Sequence, residues 1–182
     1  METYKTCCFI GHRNIVITEE LKKEIYGFLE SLILNDNVKV FLFGSKSKFN
    51  YLCHCIVTEL KEKYPDIKRV GYACLSERFI FESEREKFNE MIFELTKRKV
   101  QYCGVEEEKR LKTVLVSGRA AYIKRNQAMI NDSDYCLFYY NENYVPPQRK
   151  NGIGYYRPNS GTAIAFKYAK RKHKAIKNFF KG

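Results

Sequence analysis

Short apolar runs alternate with stretches whose apolar residues recur at helical spacing, and this alternation constrains the chain more than any other feature. A continuous apolar run suits a strand buried on both faces, which a parallel sheet covered by helices provides. The pattern therefore predicts an α/β fold with a largely parallel sheet. Thr6-Cys7-Cys8-Phe9-Ile10, ending in Gly11, reads as the first strand. Thr18 can cap the next helix, with Glu19 and Glu20 against its positive end and Leu21, Ile25, Phe28, Leu29 and Leu32 on its apolar face. Asn35-Asp36-Asn37 breaks that helix, and Val38 to Phe43 is a second strand closed by Gly44. Phe49, Leu52, Cys53, Ile56, Val57 and Leu60 form one stripe of a second helix, ended by Tyr64-Pro65. Ile67 to Cys74 is a third strand.

Farther along, Ser83 with Glu86 resembles a capping box and predicts a helix burying Phe88, Met91, Ile92 and Leu95. Val100-Gln101-Tyr102-Cys103 reads as a short fourth strand, and Glu106 to Lys112 as exposed. A helix is predicted from Arg119 to Asn131 with Tyr122 and Met129 inward, then a buried strand from Tyr135 to Tyr139. Asn141 to Pro158 holds three of the four prolines and no periodicity, so it reads as a long loop. Thr162 to Lys172 is a last helix, and Ala175 to Phe180 a closing strand. With no repeat or internal linker, residues 1–182 are expected to form a single domain.

Composition excludes several classes. With 45% hydrophobic and 30% charged residues the chain is neither disordered nor fibrous. No apolar run approaches the roughly 20 residues of a membrane helix. Met1 to Thr6 lacks the pattern of a signal peptide, so no membrane partner and a cytoplasmic location are expected. Seven cysteines, an odd number mostly among apolar neighbours, read as small buried hydrophobes in a reducing compartment. Cys53-His54-Cys55 splays apart on a helix, and no metal site is expected there. The charge of +12 favours anionic partners: nucleotides, nucleic acid or acidic surfaces.

In an open parallel sheet, ligands bind beyond the carboxyl ends of the strands, near the switch in strand order. Three segments occupy strand ends before helices: Gly11-His12-Arg13, Gly44-Ser45-Lys46-Ser47-Lys48 and Asn159-Ser160-Gly161-Thr162. Small residues let the backbone approach a phosphate, and helix-start amides point toward it. His12 titrates near neutral pH and is the candidate for proton transfer, its alternative role being loop hydrogen bonding. Arg125 either holds a phosphate or carboxylate with two parallel bonds or forms a structural ion pair. The Ser160-Gly161-Thr162 loop either cradles phosphate or simply caps its helix. Tyr139, Tyr140, Tyr144, Tyr155 and Tyr156 fill core or rim, and one or two can stack on a base.

These motifs, in order, resemble the YpsA-like branch of the SLOG superfamily, Rossmann-like relatives of the DNA-processing protein DprA and of LOG phosphoribohydrolases. Cys7 to Arg13 resembles that branch's "C-x-F-T-G-H-R", and Phe43 to Asn50 its "G-G-A-x-G-F-D" loop. Arg125-Asn126-Gln127-Ala128-Met129 with Asp132-Ser133-Asp134 resembles "R-N-x-x-M-(V/I)-D-x-S-D". Ser160-Gly161-Thr162 and Tyr168-Ala169-Lys170 resemble "G-G-T" and "Y-A-K". The resemblance implies a Rossmann-like, open, mostly parallel sheet with helices on both faces. It also implies a pocket for a nucleotide or nucleotide derivative, of ADP-ribose or NAD type for example. That pocket would be bordered by Gly11, His12, Arg13, Gly44, Ser45, Lys48, Arg125, Asn126, Ser160, Gly161 and Thr162.

The chain departs from the pattern at Lys48, Asn50 and Ser160, which replace Gly, Asp and Gly. Ala165 stands where LOG enzymes carry a Glu, and Asn126 where they carry a Lys, which argues against LOG-type nucleotide hydrolysis. The expected function is therefore a small-molecule nucleotide site, in a sensor or in an enzyme of unassigned reaction. The alternative is a DprA-like nucleic-acid-binding module, supported by the basic run Lys167, Lys170, Arg171, Lys172, His173 and Lys174. A homodimer is a further expectation from the resemblance.

Overall fold

The computed structural model describes residues 3–44, 47–74, 85–94, 97–100, 112–115, 119–144 and 160–182. At 85, 91–94, 97–100, 112–115 and 119 it describes the backbone alone. Among the described residues, six strands form one sheet in the order β4-β3-β2-β1-β7-β8, and every neighbouring pair is parallel. These strands are β1 (Lys5–Gly11), β2 (Val38–Phe43), β3 (Lys68–Cys74), β4 (Glu90–Glu94), β7 (Tyr135–Tyr139) and β8 (Ala175–Asn178). Two more, β5 (Lys97–Val100) and β6 (Lys112–Leu115), pair antiparallel as a separate ribbon. Among the described residues the α-helices are α1 (Glu19–Asn35), α2 (Lys48–Lys63), α3 (Arg119–Asn131) and α4 (Gly161–Arg171).

The period of two along each strand explains the continuous apolar runs. Cys7 and Phe9 of β1, with Phe41 and Phe43 of β2, pack under Ile25, Leu29, Val57 and Leu60 of α1 and α2. The alternate residues Cys8, Ile10 and Leu42 pack against Met129 and Ile130 of α3 and Ala165 and Ala169 of α4. The result is a three-layer α/β sandwich with helices on both faces, the Rossmann-like architecture that the sequence predicts. Among the described residues, no helix is long and apolar enough to cross a membrane.

The expected boundaries of β2, α3 and β7 agree with the structure, and those of β1, α1, α2, β3, α4 and β8 shift by a residue or two. Two expectations need correction. The helix expected over Phe88, Met91 and Ile92 is instead a short 3₁₀ turn, Arg85–Lys87, followed by strand β4. Asn89 sets that strand's register: its amide donates to Arg69 O and its Oδ1 accepts Arg69 N, both at 2.8 Å. Four apolar residues at helical spacing also make a run dense enough for a strand, and pairing with β3 decides between them. Tyr122 is 40% exposed rather than inward, its ring lying over the Arg125 guanidinium at 5.2 Å. The strand expected at Val100 meets the structure only at the end of β5. Ser83, Leu95, Gln101, Tyr102, Cys103 and the 106–111 stretch lie outside the described residues.

Candidate nucleotide site

Because all six strands run the same way, their carboxyl ends share one rim, and the chain reverses direction across the sheet between β1 and β7. This is the switch point at which open α/β sheets leave a crevice. Helix α2 starts at this rim, directly after β2. Helix α4 starts there too, because its other end feeds Ala175 of β8 beside Tyr135, the first residue of β7.

At the end of β1, Gly11 lies against the first turn of α2. A Cβ on Gly11 would sit 2.6 Å from Phe49 Cβ and Cδ1, so only glycine fits. His12, 3% exposed, bridges the switch point. Its backbone N–H donates to Tyr139 O at 3.2 Å, and its Nε2 accepts the Asn141 N–H at 2.9 Å. Asn141 O lies 3.3 Å from the same nitrogen, and the Tyr144 ring stacks on the imidazole at 4.0 Å. Accepting an N–H requires the neutral ring protonated at Nδ1. Burial works in the same direction and lowers the pKa of His12, partly opposed by Asn141. Among the described residues no carboxylate bonds to His12, so it acts as a clamp between the β1 and β7 loops.

Arg13 is exposed, and its carbonyl accepts the Lys48 N–H at 2.9 Å. Ser47 Oγ caps α2 through Asn50 N at 3.1 Å, and Tyr51 N donates to Ser47 O. The first-turn amides of α2 are therefore largely satisfied within the protein. Asn50 is 4% exposed and donates from Nδ2 to Phe9 O at 3.0 Å. An ionised Asp in that place has no proton to give Phe9 O. The Lys48 side chain is exposed at the same rim.

Gly44 ends β2 beneath α3. A Cβ there would lie 3.1 Å from both Cδ and Nε of Arg125 and would press into Met129 Sδ. Arg125 is 2% exposed, its Nη2 donating to Asn126 Oδ1 at 3.3 Å with Asn126 itself buried. Arg125 thus lies on the inner face of α3, and Gly44 admits its stem. On α4, Ser160 Oγ accepts the Ala163 N–H at 3.1 Å, the capping geometry. The Gly161 and Thr162 amides belong to a first turn that offers them no helical acceptor. Gly161 is exposed and Thr162 buried. Ala165 is 2% exposed and packs with Cys8, Ile10 and Cys136, so its position supplies no carboxylate to the rim.

The described site residues thus share one rim, with His12 joined to the β7 loop, Arg13 to Lys48 and Gly44 to Arg125. Ser45, Asn159, Tyr155 and Tyr156 lie outside the described residues. Sequence reasoning missed Asn141, whose amide meets His12 across 129 positions of chain. It also did not single out Tyr144 from its neighbours. Cys53 is buried and Cys55 exposed, so the Cys53-His54-Cys55 cluster is divided between core and surface.

No family model and no curated protein matches this sequence. Among solved structures, the fold is similar to that of DNA processing protein A from Helicobacter pylori, a protein described for its single-stranded DNA binding mode. The two share 13% identity with a TM-score of 0.53, over 96% of this chain and 64% of that one. The likeness is one of fold, and this chain spans about two thirds of the other's length.

Proposed function

We propose that the chain binds a nucleotide or nucleotide-derived ligand, such as one of ADP-ribose or NAD type, at the switch point between β1 and β7. In this reading the phosphate meets the Gly161 and Thr162 amides at the start of α4, where the helix dipole favours its charge. Arg125, Asn126, Arg13 and Lys48 add positive charge or donors around it, and Gly11, His12 and Gly44 shape the approach. The observation that carries the reading is the gathering of a buried arginine, two close-packed glycines and a helix start whose Gly161 and Thr162 amides meet no acceptor among the described residues, all on one rim of a parallel sheet. The ordered YpsA-like motifs support it further. His12, clamped to backbone, and Ala165, without a carboxylate, favour binding over hydrolysis of a glycosidic bond.

A thermal-shift panel of mono- and dinucleotides, NAD and ADP-ribose tests this. At least one member should raise the melting temperature, and Arg125→Ala should lose that rise while still folding. No rise with any ligand, or an equal rise in the variant, contradicts the site.

A second reading, a nucleic-acid-binding module, draws on a different observation. Helices α3 and α4 carry the exposed Lys124, Lys167, Lys170 and Arg171 and no acidic residue, whereas α1 carries four glutamates. Lys170, Arg171 and Lys172 lie over the rings of Phe166 and Tyr168 at 4.8, 5.6 and 5.6 Å. Such a face suits a polyanion, and the structural neighbour from Helicobacter pylori is described as binding single-stranded DNA. Anisotropy with a single-stranded oligonucleotide should fall steeply with salt on this reading, and a flat or absent response removes it.

A further inference from the structure

Aromatic rings run without a break from the core to the switch point. Phe138, fully buried, meets Phe166 edge-on at 5.1 Å, and Phe166 meets Tyr140 at 4.7 Å. Tyr140 lies 5.9 Å from His12, which stacks on Tyr144 at 4.0 Å and 24°. Among the described residues Tyr144 ends this series, and it differs from the rings before it. Phe138, Phe166 and Tyr140 belong to or pack against the core under α3 and α4, whereas Tyr144 belongs to neither core cluster.

Its position is nevertheless tightly set. Tyr144 N donates to Asn141 O at 3.1 Å, Asn143 N to Asn141 Oδ1 at 2.9 Å, and Asn141 N to His12 Nε2 at 2.9 Å. One face of the ring rests on His12, and the residue is half-buried, so the ring is neither core filling nor a free surface side chain. Phe166 lies about 7.5 Å along α4 from its first residue, and its contact with Tyr140 sets the ring series and the start of α4 beside one stretch of rim.

We propose that Tyr144, held on His12, is the platform on which the ligand's base stacks, so that the site selects base-bearing phosphates over bare sugar phosphates. The assignment rests on the phosphate-site reading above. Stacking on a rigid ring tolerates any base, since each presents a π-face. A purine and a pyrimidine nucleotide should therefore both profit, and no hydrogen-bond code is needed.

Titration calorimetry with AMP, CMP and ribose 5-phosphate tests it on the wild type, Tyr144→Phe, Tyr144→Trp and Tyr144→Leu. The wild type should bind both nucleotides about tenfold more tightly than ribose 5-phosphate. Tyr144→Phe and Tyr144→Trp should keep that preference. Tyr144→Leu should bring all three ligands within about twofold of one another, with ribose 5-phosphate affinity unchanged. A merely structural tyrosine would instead weaken all three ligands alike. Equal binding of the three by the wild type, or an intact preference in Tyr144→Leu, overturns the ring assignment alone. Failure of all three to bind wild type sinks the phosphate site and this assignment with it. Should Tyr144→Leu not fold, the wild-type preference and its retention in Tyr144→Trp and Tyr144→Phe still decide the question.

Discussion

Two helices begin at the same rim, and their first turns are treated differently. At α2, Lys48 N is taken by Arg13 O, Asn50 N by Ser47 Oγ, and Phe49 presses on Gly11. At α4, Ser160 closes the Ala163 amide with its hydroxyl and the Ile164 amide with its carbonyl, but among the described residues no acceptor meets the Gly161 amide, and that glycine has open space where a side chain would stand. Both sequences read as small residues before a helix, yet one start serves to join two loops of the protein, and the other makes no such link among the described residues. A small-residue loop is therefore necessary for a phosphate site but does not by itself make one.

The comparison breaks most visibly at Gly11. Gly11→Ala drives a methyl group into the Cβ of Phe49, backbone-proximal and unable to swing away, and should cost about 2–3 kcal/mol in chemical denaturation. Gly161→Ala meets nothing within 4 Å and should leave stability nearly unchanged. Equal effects at the two glycines would show that the two starts do not differ as described. Next in size are the caps: Ser47→Ala and Ser160→Ala should each cost about 1 kcal/mol. Ser47→Ala should also loosen the β1 loop, read as faster amide exchange at Lys48.

A smaller effect is expected from pH. The folded-state pKa of His12 lies below its ordinary 6.5, so the unfolded chain binds more protons as pH falls through that value. The stability from the neutral ring is present above pH 6.5 and declines below it, until the folded pKa is passed. His12→Gln should flatten that decline in melting temperature. At the opposite rim, Asp36 is held below its ordinary 3.8 by the Tyr135 hydroxyl and then Lys5. Its contribution persists above that value and is lost only in stronger acid, so Asp36→Asn should leave the profile near neutrality unchanged. Smallest of all, Lys48→Ala should weaken nucleotide binding by no more than about twofold, since an exposed cation is largely screened.

Much of this architecture is legible in the chain, for physical reasons. Buried parallel strands such as Tyr135–Tyr139 must be apolar on both faces, and Gly11 and Gly44 mark the ends of two of them. The capping of α1 by Thr18 is a local contact and can be read locally. What cannot be read are choices settled by distant partners. Asn89 binds β3 and turns an apparent helix into a strand, and Asn141 meets His12 only once β1 and β7 are adjacent. Gly44, by contrast, is recognisable as a strand end, but its reason for being glycine is the stem of Arg125, 81 residues later in the chain.

The most direct test of the difference between the two helix starts is a residue-resolved one. Amide chemical shifts followed during titration with AMP should move at Gly161, Thr162 and Ala163 and at Gly11 to Arg13, with little change at Phe49 and Asn50. Shifts confined to the start of α2 or to the opposite rim around Lys5 and Asp36, or no shifts at saturating AMP, would contradict the account.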